Sequence, residues 1–76
     1  MKGLTTQQRL VLETIEDWLV QYGYPPTRSE IAYEMGWKSV NSANATVSAL
    51  AKKGYVRVTP GVARGIKVLE KSRKNV

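Results

Sequence analysis

Cysteine, histidine and phenylalanine are all absent from the 76 residues of this chain. Without cysteine there is no disulfide framework and no thiolate zinc site, and without histidine the commonest metal ligand and general base are missing as well. The serines and lysines that remain spell out no arrangement of nucleophile, base and orienting group. The chain is therefore read as no enzyme, with no cofactor and no small-molecule ligand. No apolar run approaches the roughly 18 residues of a membrane span, and Met1-Lys2-Gly3 leads into a polar segment rather than a signal-peptide core. These absences suit a soluble cytoplasmic protein with no membrane partner. Its length allows one small domain, which hides only about 60% of the surface of its unfolded chain.

Acidic charge is scarce in one half only. Up to Met35 five acids (Glu13, Glu16, Asp17, Glu30, Glu34) outweigh Lys2, Arg9 and Arg28, whereas from Gly36 onward nine bases face Glu70 alone. A solvated basic surface would account for the charge by itself, but such polarity also fits a polyanionic partner for the second half.

The basic half contains an uncharged stretch, SVNSANATVSALA at residues 39–51. Wound as a helix, it places Ala43, Val47, Leu50 and Ala51 in a buried stripe. The opposite face carries Asn41, Asn44, Ala45 and Ser48, where a surface helix ordinarily displays Lys, Glu and Arg. Lys38 and Lys52-Lys53 flank it. Amides for base edges, short side chains for close approach and cations for phosphates are what a helix entering a DNA groove needs. A tightly packed helix with Asn and Ser left over would look the same from this stretch alone.

The surroundings favour the first reading. Thr5-Thr6-Gln7-Gln8 fits a capping box opening a helix over residues 6–22, with a stripe of Val11, Ile15, Trp18 and Tyr22 widened by Leu12 and Leu19. Gly23 and Pro25-Pro26 stop it. Thr27-Arg28-Ser29-Glu30 is a second capping box; Ile31, Ala32 and Met35 face inward before Gly36, and Trp37 folds back on the core. Ser39 is the N-cap of the third helix, which ends near Lys53 at Gly54. Beyond it the pattern alternates at residues 55–59 and again at 66–69, predicting a hairpin with a loop over residues 60–65 and with Arg57, Arg64 and Lys67 as its bases. The expected fold is mostly α with a small β-hairpin, a winged helix-turn-helix over residues 1–70, followed by a basic, patternless tail at 71–76 that should fray. Winged helices also serve as protein-interaction modules, so architecture alone does not fix function.

Leu4-Thr5 with Gln8, the run Tyr24-Pro25-Pro26-Thr27-Arg28-Ser29-Glu30-Ile31-Ala32, Gly36-Trp37-Lys38-Ser39, Ala49-Leu50-Ala51-Lys52-Lys53-Gly54 and Arg64-Gly65-Ile66 together resemble the N-terminal DNA-binding domain of the LexA family, bacterial repressors of the DNA-damage (SOS) response. The similarity covers residues 1–69 without evident gaps. It implies a third helix in the major groove, with Ser39, Asn41, Ser42, Asn44 and Ala45, and Ser48 beyond them, as base readers. Thr27, Arg28, Lys38, Lys52, Lys53, Arg64 and Lys67 are the implied phosphate contacts. The implied partner is double-stranded DNA, a palindromic operator bound by a weak homodimer.

This sequence departs from the family at its reading face. Familiar members carry glutamates where Asn44 and Ala45 stand here, and often a proline in place of Val40. Glutamate accepts a hydrogen bond from cytosine, asparagine pairs with adenine and alanine meets a thymine methyl, so the operator does not carry over. LexA-like repressors also continue into a dimerising domain that cleaves itself with a Ser-Lys pair. Nothing up to Val76 resembles that domain: the sequence is either cut from a longer repressor or a small protein in itself, and the basic tail with the changed reading face tilts the expectation toward a free-standing relative, of phage or plasmid origin, that self-cleavage cannot switch off.

Overall fold

The computed structural model describes residues 3–69; the basic tail lies outside them. Helix α1 runs Thr6–Tyr22, α2 Arg28–Met35 and α3 Val40–Lys52, and a hairpin of β1, Val56–Val58, and β2, Ile66–Val68, follows. This is the winged helix-turn-helix that the sequence predicts, with the helix limits where caps and glycines set them.

Both capping boxes form. The Thr5 hydroxyl accepts from the Gln8 amide at 3.1 Å while Gln8 accepts back from the Thr5 amide, and Thr27 and Glu30 repeat the exchange at the start of α2. Each exchange satisfies two of the amides a helix start leaves unpaired. Gly36 ends α2 at φ 75°, a left-handed conformation that side chains avoid. The next amide, Trp37, donates to the Ala32 carbonyl at 2.8 Å, which turns Trp37 back to pack against the core.

Helix α3 lies against both α1 and α2. Val11, Leu12 and Ile15 from α1, Ile31 and Ala32 from α2, and Ala43, Val47 and Leu50 from α3 form the core, closed by Tyr55, Val56 and Ile66 of the hairpin. Burying each of the larger aliphatic side chains stabilises the fold by about 1.5–3 kcal/mol. Ala51, expected in the buried stripe, is half-buried at the core's edge.

The strands pair antiparallel with Val56 opposite Val68, Arg57 opposite Lys67 and Val58 opposite Ile66. They are shorter than the alternation predicts, although Thr59 and Leu69 still donate to the carbonyls of Gly65 and Tyr55 across the ends of the ladder. The last turn of α1 departs further from expectation. Tyr22 is 49% exposed and Trp18 half-buried. Instead of entering the core they form an aromatic cluster with Tyr24, ring centroids 4.6 Å apart for Trp18–Tyr22 and 5.7 Å for Tyr22–Tyr24. At about 1.5 Å per residue, α1 outruns a core that α2 and the hairpin cover only partly.

Candidate nucleic-acid interface

Packing α3 through Ala43, Val47 and Leu50 turns its other side outward. Ser39, Asn41, Ser42, Asn44, Ala45 and Ser48 are all exposed, with Lys38 exposed before the helix and Lys52 at its end. Asn41, Ser42, Asn44, Ala45 and Ser48 thus lie on the exposed side of α3, with Ser39 at its N-cap. Ser39 has a structural task as well: its hydroxyl oxygen accepts from the Asn41 amide at 3.0 Å, capping the helix and leaving its own proton for donation. Thr46, beside the face, donates to the Ser42 carbonyl and stays within the helix. Among the described residues, the side chains of Asn41, Ser42, Asn44, Ala45 and Ser48 make no hydrogen bond or ion pair within the chain.

The hairpin carries a second set of cations. Arg57 and Lys67 are exposed and stand opposite each other, an arrangement of like charges that destabilises a strand pair unless an anion sits between or beside them. The acids lie elsewhere: Glu13, Asp17 and Glu34 rim a surface hollow of about 410 Å³ between α1 and α2. Glu16 lines a second hollow beside Val68 of the hairpin, and along α3 itself no acidic residue occurs.

Arg64 ties the wing to the helices. One terminal nitrogen donates to the Pro25 carbonyl at 2.9 Å and to Glu30 Oε1 at 2.8 Å, while the other reaches Glu30 Oε2 at 2.9 Å. Its guanidinium lies 4.5 Å from the Tyr24 ring centroid and 5.8 Å from that of Trp18. The Arg64 hydrogen bonds, and after them the Thr27 amide, hold the Glu30 carboxyl below the ordinary carboxylate range, and Glu30 in turn raises Arg64. Glu30 thus serves helix capping and wing anchoring with one side chain.

Gly65 makes the approach possible. A Cβ there would stand 2.9 Å from the Thr59 carbonyl oxygen and 3.0 Å from Val62 Cβ, inside normal contact distance. Sequence reasoning names Arg64 but misses its partner Glu30 and the aromatic bed, because nothing local connects positions 34 residues apart.

These features coincide with a family match: residues 1–65 match the family described as LexA DNA binding domain. The chain belongs to that family. It is 46% identical over 70 residues to the LexA repressor of Cellvibrio japonicus (strain Ueda107). The aligned part is 92% of this chain and 35% of that relative, so the chain spans about a third of the relative's length. As a LexA DNA-binding domain the chain is a binder of double-stranded DNA. Among the described residues no helix is long and apolar enough to cross a membrane, and no group of three or more acidic, cysteine or histidine side chains is placed to hold a metal.

The other cations expected at phosphate divide into two groups in this LexA-type domain. Lys38, Lys52 and Lys67 are exposed, and Arg28 is half-exposed on the first turn of α2. Thr27 beside it spends its oxygen on the Glu30 amide and keeps a proton to donate. Lys53, like Arg64, has partners within the chain, donating to the Gly3 carbonyl and, at 2.7 Å, to Gln8 Oε1. Lys53 thereby clamps the end of α3 to the start of α1.

Proposed function

We propose that this chain recognises a specific sequence in duplex DNA with α3 laid in the major groove, and that it acts in the cytoplasm as a transcriptional repressor by occupying promoter DNA. Asn41, Asn44 and Ala45, with Ser39, Ser42 and Ser48, read base edges. Thr27, Arg28, Lys38, Lys52, Arg57 and Lys67 meet phosphates on either side of the groove, and Arg64 and Lys53 hold the elements that carry them. The observation that carries this reading is the exposed, uncharged, unpaired face of α3 with cations at both ends.

A lone module of this size buries about 600–1,000 Å² on DNA. Useful affinity and specificity then call for two copies on a two-fold site, with half-sites about one helical turn apart. An interaction module for another protein would instead present a clustered aromatic or apolar surface on its working face; on α3 Val40 alone is an exposed large apolar residue, and the aromatic cluster lies at the end of α1.

The test compares a selected operator with random duplex by fluorescence anisotropy. Asn41→Ala should cost about 1–3 kcal/mol on the operator and little on random DNA. Equal losses on both would remove Asn41 from the reading set, and a wild-type chain that bound neither would end the DNA reading.

A further inference from the structure

What α3 is able to read is limited by what its exposed face carries. Guanine is recognised in the major groove by arginine or lysine at O6 and N7, and cytosine by a carboxylate accepting from N4. Along α3, VNSANATVSALAK, neither type occurs until Lys52, at the far end from the N-terminal turns. The face offers instead two asparagines, whose amides match N7 and N6 of adenine, a methyl group on Ala45 that meets the methyl of thymine, and serines that accept either base. Among the described residues the side chains of Asn41, Ser42, Asn44, Ala45 and Ser48 make no hydrogen bond or ion pair within the chain, so their recognition groups are available.

Their spacing fits consecutive base pairs. With a helical rise of about 1.5 Å per residue, Asn44 lies about 4.5 Å beyond Asn41 along the axis and Ser48 about 10.5 Å beyond it. Against a base-pair step of about 3.4 Å, the face from Asn41 to Ser48 covers about four base pairs, with Asn41 and Asn44 over neighbouring ones. Positions 41, 44, 45 and 48 are related by three- and four-residue steps and so stand together on the helix surface. Lys38 precedes the N-cap, so a guanine met by it would fall at the edge of this core.

We propose that the half-site recognised by α3 has a core of about four base pairs in which A·T pairs lie under Asn41, Asn44 and Ala45, and in which no G·C pair is obligatory. The inference rests on the proposed groove-binding role of α3 and adds the class of sequence it takes.

The experiment selects bound duplexes from a random library with the full chain and with two variants, Asn44→Glu and Asn44→Ala. The wild type should enrich an A·T core, and replacing an A·T pair under Asn41 or Asn44 by G·C should weaken binding about five- to 150-fold. Asn44→Glu should change one core position from adenine to cytosine while leaving the others, and Asn44→Ala should flatten that same position. Position 44 is exposed and unpartnered, and thermal melts of both variants check that the fold persists. A selected core holding a fixed G·C pair that neither variant disturbs would overturn the inference while leaving DNA recognition intact. Enrichment of no sequence, with equal binding to all duplexes, would overturn both.

Discussion

Salt titration distinguishes cations that meet DNA from cations that hold the fold. Arg28, Lys38, Lys52, Arg57 and Lys67 have no hydrogen bond or ion pair among the described residues, whereas Lys53 and Arg64 donate to Gln8 and Glu30. If those five are the groups that displace counterions, log K should fall against log salt with a slope of about −4.5, a loss of about 500-fold between 50 and 200 mM. Adjacent lysines then provide an internal control. Lys52→Ala should reduce the slope by about 0.9, the share of one phosphate. Lys53→Ala should leave the slope nearly unchanged and lower the melting temperature instead, because it unclamps α3 from the start of α1. Both slopes come from anisotropy titrations on one operator at four or five salt concentrations. A wild-type slope between zero and about −1 would contradict phosphate contact by this surface. Equal slope changes for the two lysine variants would show that Lys53 leaves its internal partners for DNA, and the division made here would fail.

Leu50→Ala removes a side chain with 0% exposure at the meeting of α3, α1 and the hairpin, and should destabilise the domain by about 2–5 kcal/mol in urea unfolding; a loss under about 1 kcal/mol would mean the core collapses around the gap. Gly65→Ala forces a Cβ against Thr59 and Val62 and should cost about 1–3 kcal/mol, with NMR shifts concentrated in the wing and α3 amides in place; unshifted Thr59 and Val62 amides would refute the contact. The Glu30 carboxyl is held low in the folded chain, so its contribution is complete above the ordinary carboxylate pKa and is lost as pH falls through its lowered folded value. Carbon-detected NMR should give Glu30 a midpoint below the ordinary value of a glutamate carboxyl, one that moves up in Arg64→Ala; an unmoved midpoint would detach the pair.

Local chemistry made the helices and their starts legible in the sequence. Each capping box is a three-residue exchange, and Gly36 with Trp37 announces its turn within one helical turn, so Thr27, Glu30 and Ser39 are found where pattern places them. The exposed, uncharged face of α3 was legible for a related reason: the absence of charge over residues 40–48 is a one-dimensional signal. The periodicity of α1 misled where the helix overhangs the core. Trp18 and Tyr22 continue the stripe in register, but Trp18 meets Arg64, more than 40 residues away and brought there by the wing, and Tyr22 meets the rings of Trp18 and Tyr24. The partners of Lys53 escaped for the same reason, since Gln8 lies 45 residues distant.

The exposed side of α3 has an evolutionary consequence. Since, among the described residues, the side chains at 41, 44, 45 and 48 make no bond to another part of the molecule, exchanging them would, on the proposed reading role, alter what is recognised without eroding the reserve of stability on which further change depends. Duplicated copies of such a gene can drift toward separate targets by single steps through folded intermediates, each viable, with no compensating change elsewhere. Glu30 sits under the opposite constraint: any replacement disturbs a helix start and the wing at once, so that position and Arg64 should vary only as a pair.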